Sequence, residues 1–295
     1  MRQKYGKHTM RIGSSIRIHI NVTLAACNEK YSALTLEKFP KNIHNVKMLK
    51  KHDGGRGVLA WAKELFYILK IFLLKISSIV FPVSRGNFDP EKQNIVLVYG
   101  FGVSPSVFIL LKRKFEDSGY NVLIPDLGWA IKDIDIHARR FVRFTREQEK
   151  ILKETYQKKL SDIKDRTLFL GHSMGGLIIL SAQKQEPTLK AFPILTLGTP
   201  LHGSPLAYTI PFLKPGREML PNSQWLCALY KDIRQTPPKL IQVKAVRDEF
   251  VPKKYSHIEG FPAHTVPITG HAALLFELTP KMIQKILEEQ RGPSR

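Results

Sequence analysis

The stretch "TLFLGHSMGGLIIL", Thr167 to Leu180, sets one serine among three glycines with an apolar run on either side. The run before the cluster, 167–170, has the length of a fully buried strand, and the unbroken run behind it, 177–182, suits a helix. A G-x-S-x-G string arises by chance in about one chain in fifteen of this composition, so it carries weight only through this strand, turn and helix setting. There, Gly171, Gly175 and Gly176 leave room for a turn so sharp that Ser173 is held in a strained conformation, its hydroxyl above the sheet edge. The helix that follows at once points the Met174 N–H and its positive end at any oxyanion formed beside that serine.

A serine hydroxyl near pH 7 is a poor nucleophile and needs a base, normally a histidine oriented by a carboxylate. On this kind of turn the chain order is serine, acid, histidine. "LIQVKAVRDEFVP" supplies the acid: Asp248 lies just past an apolar strand, with Glu249 beside it as the rival. "HTVPITGH" supplies the base at its end, His271, with Gly270 before it permitting a tight turn. Of the other histidines, His172 sits inside the serine turn, His202 follows a different strand, and His257 and His264 precede the strand whose end should carry the base. These read as structural or solvated. A second oxyanion donor is expected after an early strand, and "IVLVYGFGVSPSVF", Ile95 to Phe108, nominates the Phe101 backbone N–H between Gly100 and Gly102.

Outward from these motifs, the chain from Gln93 alternates strand and helix, the pattern of a parallel sheet with right-handed crossovers. Strands are expected near 95–99, 122–125, 167–170, 194–197, 240–245 and 265–268. Helices are expected at 106–117, at about 137–160 and at 279–290. The proline-punctuated apolar segment at about 203–238 reads as a cap or lid.

Ahead of that region lie two segments of different character. Residues 1–57 are basic and contain an alternating run, Ile16, Ile18, Ile20, Val22 and Leu24, that reads as a half-exposed strand. Leu24–Cys27 looks like a lipoprotein cleavage box, but Arg17, His19 and Asn21 interrupt the apolar region such a signal requires. Next, within 58–84, comes "VLAWAKELFYILKIFLLKISSIVF", Val58 to Phe81, in which Lys63, Lys70 and Lys75 break every apolar run short of a bilayer span. Wound as a helix it shows a broad apolar face, including Leu65, Leu69, Phe72 and Ile76, opposite Lys63, Lys70 and Ser77. Packing on the core is one use of such a face. The expected use is interfacial: residues 1–85 carry 16 basic and 4 acidic side chains in a protein of net charge +21, and a basic end attracts anionic lipid. No nucleic-acid-binding signature accompanies the charge, so no nucleic acid partner is expected. On this reading the protein is membrane-associated through 58–81 and otherwise cytoplasmic, and the catalytic region should hydrolyse a water-soluble ester without residues 1–84. Cys27 and Cys227 suggest neither a disulfide framework nor a metal site, and no cofactor or metal is expected.

Together, "GHSMGG", "LGTPLHGSPLA" (197–207), "MLPNSQWLCAL" (219–229), "DEFVP" (248–252) and "GH" (270–271) resemble, in order, segments of the α/β-hydrolase superfamily, in its lipase-like branch with bacterial triacylglycerol lipases and related lipid deacylases. The resemblance covers about residues 93–290. It implies an α/β-hydrolase fold, a mostly parallel sheet flanked by helices with a short lid, and cleavage of carboxylic esters of lipid-like or other apolar substrates through an acyl-enzyme. Ser173 would be nucleophile, His271 base and Asp248 orienting acid. Two departures stand out: Tyr99-Gly100 replaces the usual His-Gly before the oxyanion donor, and there is little room for extra antiparallel strands ahead of the first. An acyltransferase or thioesterase would use the same three residues. A catalytically silent fold kept as a membrane- or partner-binding module is the reading from another class.

Overall fold

The computed structural model describes residues 8–12, 16–20, 54–80 and 83–291. Two units divide the chain, Met1–His52 and Asp53–Arg295. In the first, β1 (His8–Ile12) and β2 (Ile16–Ile20) form an antiparallel pair with His8 opposite Ile20. The strand expected from Ile16 is present to Ile20. Val22, Leu24, the Leu24–Cys27 box and the remainder of the basic segment up to residue 53 lie outside the described residues.

The second unit opens with α1 (Gly54–Val80) and then winds a six-stranded sheet from β3 (Asn94–Val98), β4 (Asn121–Leu123), β5 (Thr167–His172), β6 (Ile194–Leu197), β7 (Leu240–Arg247) and β8 (Ala263–Thr269). Spatial order is β4-β3-β5-β6-β7-β8, and every pair is parallel. β3, β5 and β6 are buried at every position, as strands covered by helices on both faces must be, which is why they read as continuous apolar runs. Among the described residues no antiparallel strand precedes β3 in this sheet.

Helices α2 (Ile109–Glu116), α3 (Ile134–Tyr156), α4 (Met174–Gln185), α5 (Lys214–Glu218), α6 (Gln224–Gln235), α7 (Ala273–Glu277) and α8 (Pro280–Arg291) complete the unit. α4 is buried from Met174 to Gln183, enclosed on all sides, whereas α3 lays one apolar stripe, Ile134, Ala138, Phe141 and Leu152, on the core. The close approach of α4 to the sheet demands glycine: a Cβ on Gly175 would lie 2.0 Å from the Val98 carbonyl oxygen. The 203–238 segment is built of a short 3-10 turn at Pro205–Thr209, then α5 and α6. Ser204 and Ser223 cap the turn and α6 with side-chain hydroxyls that accept from Leu206 and Leu226 N–H.

α1 docks on this unit through a mixed side on which Ala60 and Glu64 are buried and Tyr67, Ile71 and Leu74 pack on the core. Lys63 pairs with Glu277 at 2.7 Å, the Tyr67 hydroxyl donates to Glu277 Oε1 at 2.7 Å, the Tyr67 ring stacks on Phe276, and Lys70 lies over the same Phe276 ring. Leu65, Phe66, Leu69, Phe72, Leu73 and Ile76 face outward, Leu65 at 67% exposure and Phe72 at 58%. No helix among the described residues is long and apolar enough to cross a membrane.

Candidate active site

The site gathers at the carboxyl ends of the parallel strands. Ser173 follows β5 with φ 55° and ψ −130°, a conformation a non-glycine residue adopts only where its surroundings impose it. Its N–H donates to the Leu197 carbonyl at 2.8 Å, which ties the turn to β6. β3 lies next to β5 in the sheet, so the loop after β3 reaches the same place. A Cβ on Gly100 would fall 2.8 Å from Ser173 Cβ and 3.3 Å from Met174 N, so only glycine lets the loop pass this close.

Tyr99 accounts for the departure before Gly100. Its side chain is fully buried, and its hydroxyl accepts from Leu127 N–H at 2.7 Å while donating to the Gly128 carbonyl at 2.9 Å. Burial raises its pKa, which keeps the phenol neutral and in its donor role. The tyrosine is thus a pin between the Gly100–Phe101 loop and the 127–128 turn.

Asp248 begins the loop after β7. Its Oδ1 accepts from Phe250 N–H at 2.9 Å and Val251 N–H at 2.7 Å, and its Oδ2 lies 2.8 Å from His271 Nδ1. A carboxylate can only accept here, so Nδ1 carries the proton and Nε2 keeps a free lone pair. Glu249 turns elsewhere, its Oε1 2.9 Å from Arg247 Nε. Between the two acids, geometry brings Asp248 to the histidine.

His271 follows the end of β8 and is buried. Burial pulls its pKa down, but the Asp248 charge and hydrogen bond, backed by Glu64 and Glu249, outweigh this and hold it above the ordinary imidazole value. His172 has the opposite fate. Enclosed entirely, and next to His271, it is held neutral far below that value, and its Nε2–H donates to the His271 carbonyl at 3.1 Å. His202 and His257 lie elsewhere, with the His202 N–H on the Tyr255 carbonyl and His257 Nδ1 on the Lys253 carbonyl, while His264 pairs with Glu289 near the sheet edge.

Ser173, His271, His172, Gly100 and Phe101 line one cavity of about 400 Å³ whose walls are otherwise mainly apolar. Leu206, Ala207, Ile210 and Met219 from the 203–238 segment close one side. α1 supplies another wall through Ile68, Ile71, Phe72 and Lys75. α1 thus packs on the core through Ala60, Glu64, Tyr67, Ile71 and Leu74 and lines the cavity, while Leu65, Leu69 and Leu73 stay exposed.

Glu64 was missing from the sequence reading. It sits on α1, is fully buried, and its Oε1 accepts from Ala272 N–H, one residue past His271, at 2.7 Å. The signal was present as a single acid inside the most apolar stretch of the chain, a place where an unpartnered carboxylate is costly.

No protein-family model and no curated protein matches the chain. Solved structures do. The mature form of Bacillus licheniformis lipase BlEst2 superposes with a TM-score of 0.50 at 18% identity, covering 70% of this chain and 95% of that one. The propeptide form of the same lipase gives 0.52 at 16% identity, covering 68% of this chain and 51% of the longer one.

Proposed function

Because the chain has the α/β-hydrolase fold, we propose that it is a serine hydrolase cleaving carboxylic esters of apolar acyl groups at a membrane surface. The observation that carries the reading is the contact between His271 Nδ1 and Asp248 Oδ2 at 2.8 Å, in the one cavity that His271 shares with the strained Ser173.

In this reading Ser173 Oγ adds to the acyl carbonyl carbon while His271 Nε2 takes the hydroxyl proton. The carbonyl electron pair moves to oxygen, which the N–H groups of Met174 and Phe101 hold; Met174 opens α4, where N–H groups have no intrahelical partner. Collapse of the adduct breaks the ester C–O bond, and the alcohol leaves with the proton from His271. Water then loses a proton to the same nitrogen and attacks the acylated Ser173, which returns to its hydroxyl form as the acid departs. The mainly apolar cavity suits the hydrocarbon part of the substrate. The Asp248–His271 contact speaks against a silent fold.

Membrane association is supported by the outward face of α1, by exposed Trp129 under its Lys75, and by exposed Leu206 on the cavity wall. Full burial of a side chain of this size is worth about 1.5–3 kcal/mol, so even partial insertion of several outweighs the roughly 1 kcal/mol that each flanking lysine or arginine adds near an anionic leaflet. Apolar contact would hold the protein and charge would choose the leaflet.

The test combines a fluorophosphonate probe with esters of rising acyl length, presented free and in anionic vesicles. The wild type should label at one serine and hydrolyse vesicle-borne ester best, and Ser173→Ala should lose labelling and about 10⁴-fold or more of the rate. Labelling that persists in Ser173→Ala removes Ser173 from the nucleophile role. Equal rates on free and vesicle-borne ester remove the membrane from the proposal.

A further inference from the structure

We infer that Glu64 is a positioning residue for His271, which makes α1 part of the catalytic apparatus. The inference rests on the roles given above to Ser173 and His271, and deepens them.

One carboxylate meets the backbone on both sides of the histidine. Its Oε1 accepts from Ala272 N–H at 2.7 Å. Its Oε2 lies against Gly270, where φ is +111° and an added Cβ would come within 2.4 Å of that oxygen. His271 is therefore the middle residue of a turn whose two flanking residues rest on Glu64. Two further bonds finish the grip: His172 Nε2–H on the His271 carbonyl at 3.1 Å, and Gly270 N–H on the Arg247 carbonyl at 2.9 Å. Three elements thus fix one peptide segment, and only α1 comes from outside the sheet. Its seat is firm because Lys63 and Tyr67, one residue before and three after Glu64, both hold Glu277 at the end of α7.

Glu64 Oε2 has no hydrogen-bond partner although it is buried. A group placed only to cap the backbone at Ala272 needs a single acceptor, and a neutral amide would serve without the desolvation of a carboxylate. A negative charge at this place has one evident beneficiary, the imidazolium that forms when His271 takes the serine proton. The charged or titratable groups facing His271 are Asp248 and Glu249 from the loop after β7, His172 from β5, and Glu64 from α1. Burial, with the nearby charges of Asp248 and Glu249, holds the Glu64 carboxyl above its ordinary value, and the Ala272 N–H and the charged form of His271 pull the other way.

Glu64→Gln keeps an oxygen acceptor for Ala272 N–H and removes the charge; Glu64→Ala removes both. The full chain in each form is compared by histidine NMR titration, by kcat and KM on a short soluble ester against pH, and by Tm. In Glu64→Gln the His271 titration and the acid limb of kcat/KM should both move to lower pH, and kcat at its plateau should fall several-fold, because the imidazolium formed in the reaction loses a supporting charge. In Glu64→Ala kcat should fall on the order of 10- to 100-fold with KM little changed, as expected when a reacting group is misplaced by a fraction of an ångström. If both variants keep the wild-type His271 titration and kcat and change only Tm, Glu64 is a structural cap and the inference is overturned. If the wild type hydrolyses no ester while the NMR titration shifts as described, the ester-hydrolase reading fails and the positioning role stands.

Discussion

Replacing Asp248 by asparagine separates the two jobs of its carboxylate. Oδ1 holds the loop through the N–H groups of Phe250 and Val251, and Oδ2 holds His271 Nδ1–H. Asparagine has one acceptor oxygen. If that oxygen stays on the loop, the amide NH₂ faces Nδ1, which must become an acceptor; the ring proton moves to Nε2 and no lone pair is left for Ser173. If the amide flips to keep the right tautomer, the buried Val251 N–H and the half-buried Phe250 N–H lose their acceptor at about 1–3 kcal/mol each. The flipped, competent form is then disfavoured by about 2–6 kcal/mol, a rate loss between roughly 30-fold and 3 × 10⁴-fold at about 1.4 kcal/mol per tenfold. Loss of the charge that supports the imidazolium pushes the result toward the upper end, on the order of 10³–10⁴. Stability should change little, because the preferred rotamer keeps both loop bonds. The assay is kcat on a soluble ester, with Tm beside it and Glu249→Gln, expected to be mild, as control. An Asp248→Asn enzyme within tenfold of wild type, or a larger loss in Glu249→Gln, would refute the assignment of the acid.

Two further outcomes follow from the same geometry. In the proposed mechanism His271 acts as a base only when neutral, and its pKa is held above the ordinary value, so kcat/KM should fall with acid along a limb lying above pH of about 6.5; a limb below that value contradicts the electrostatics described for the site. Gly100→Ala places a Cβ 2.8 Å from Ser173 Cβ and 3.0 Å from the His172 carbonyl oxygen, both on a rigid turn, so kcat should drop on the order of 10²-fold with about 1–3 kcal/mol of destabilisation in a denaturant melt, and wild-type kcat in this variant would show that the loop has room.

Local chemistry made much of the sheet and site readable from the chain. The serine turn could be read because its glycines are required within a few residues of the serine, and Asp248 and His271 because each lies just past a strand whose apolar run is visible. The strand at 194–197 was read with the bounds it has, since burial on both faces makes such strands continuous in hydrophobicity. α1 was legible as a helix with two faces, but not as to where each face points. Periodicity fixes the angular separation of Lys63 and Lys70 from Leu65 and Phe72. The destination of each face depends on Glu277, Phe276 and Ala272, whose approach no local pattern encodes. Tyr99 was likewise visible only as a departure, because its partners at Leu127 and Gly128 lie in a different loop.

The bond between Glu64 and Ala272 joins residues 208 apart in the chain. During synthesis at about 5–20 residues per second, α1 therefore precedes the turn it must grip by roughly 10–40 s. For that interval Lys63, Glu64 and Tyr67 lack their partners Glu277, Ala272 and Phe276, while β3, β5 and β6 can already pair around Ser173. A nascent chain stopped before β8 holds the strained serine without His271, its proposed base. Chemical competence would thus come abruptly and late, when a helix made early closes on a turn made more than 200 residues afterwards.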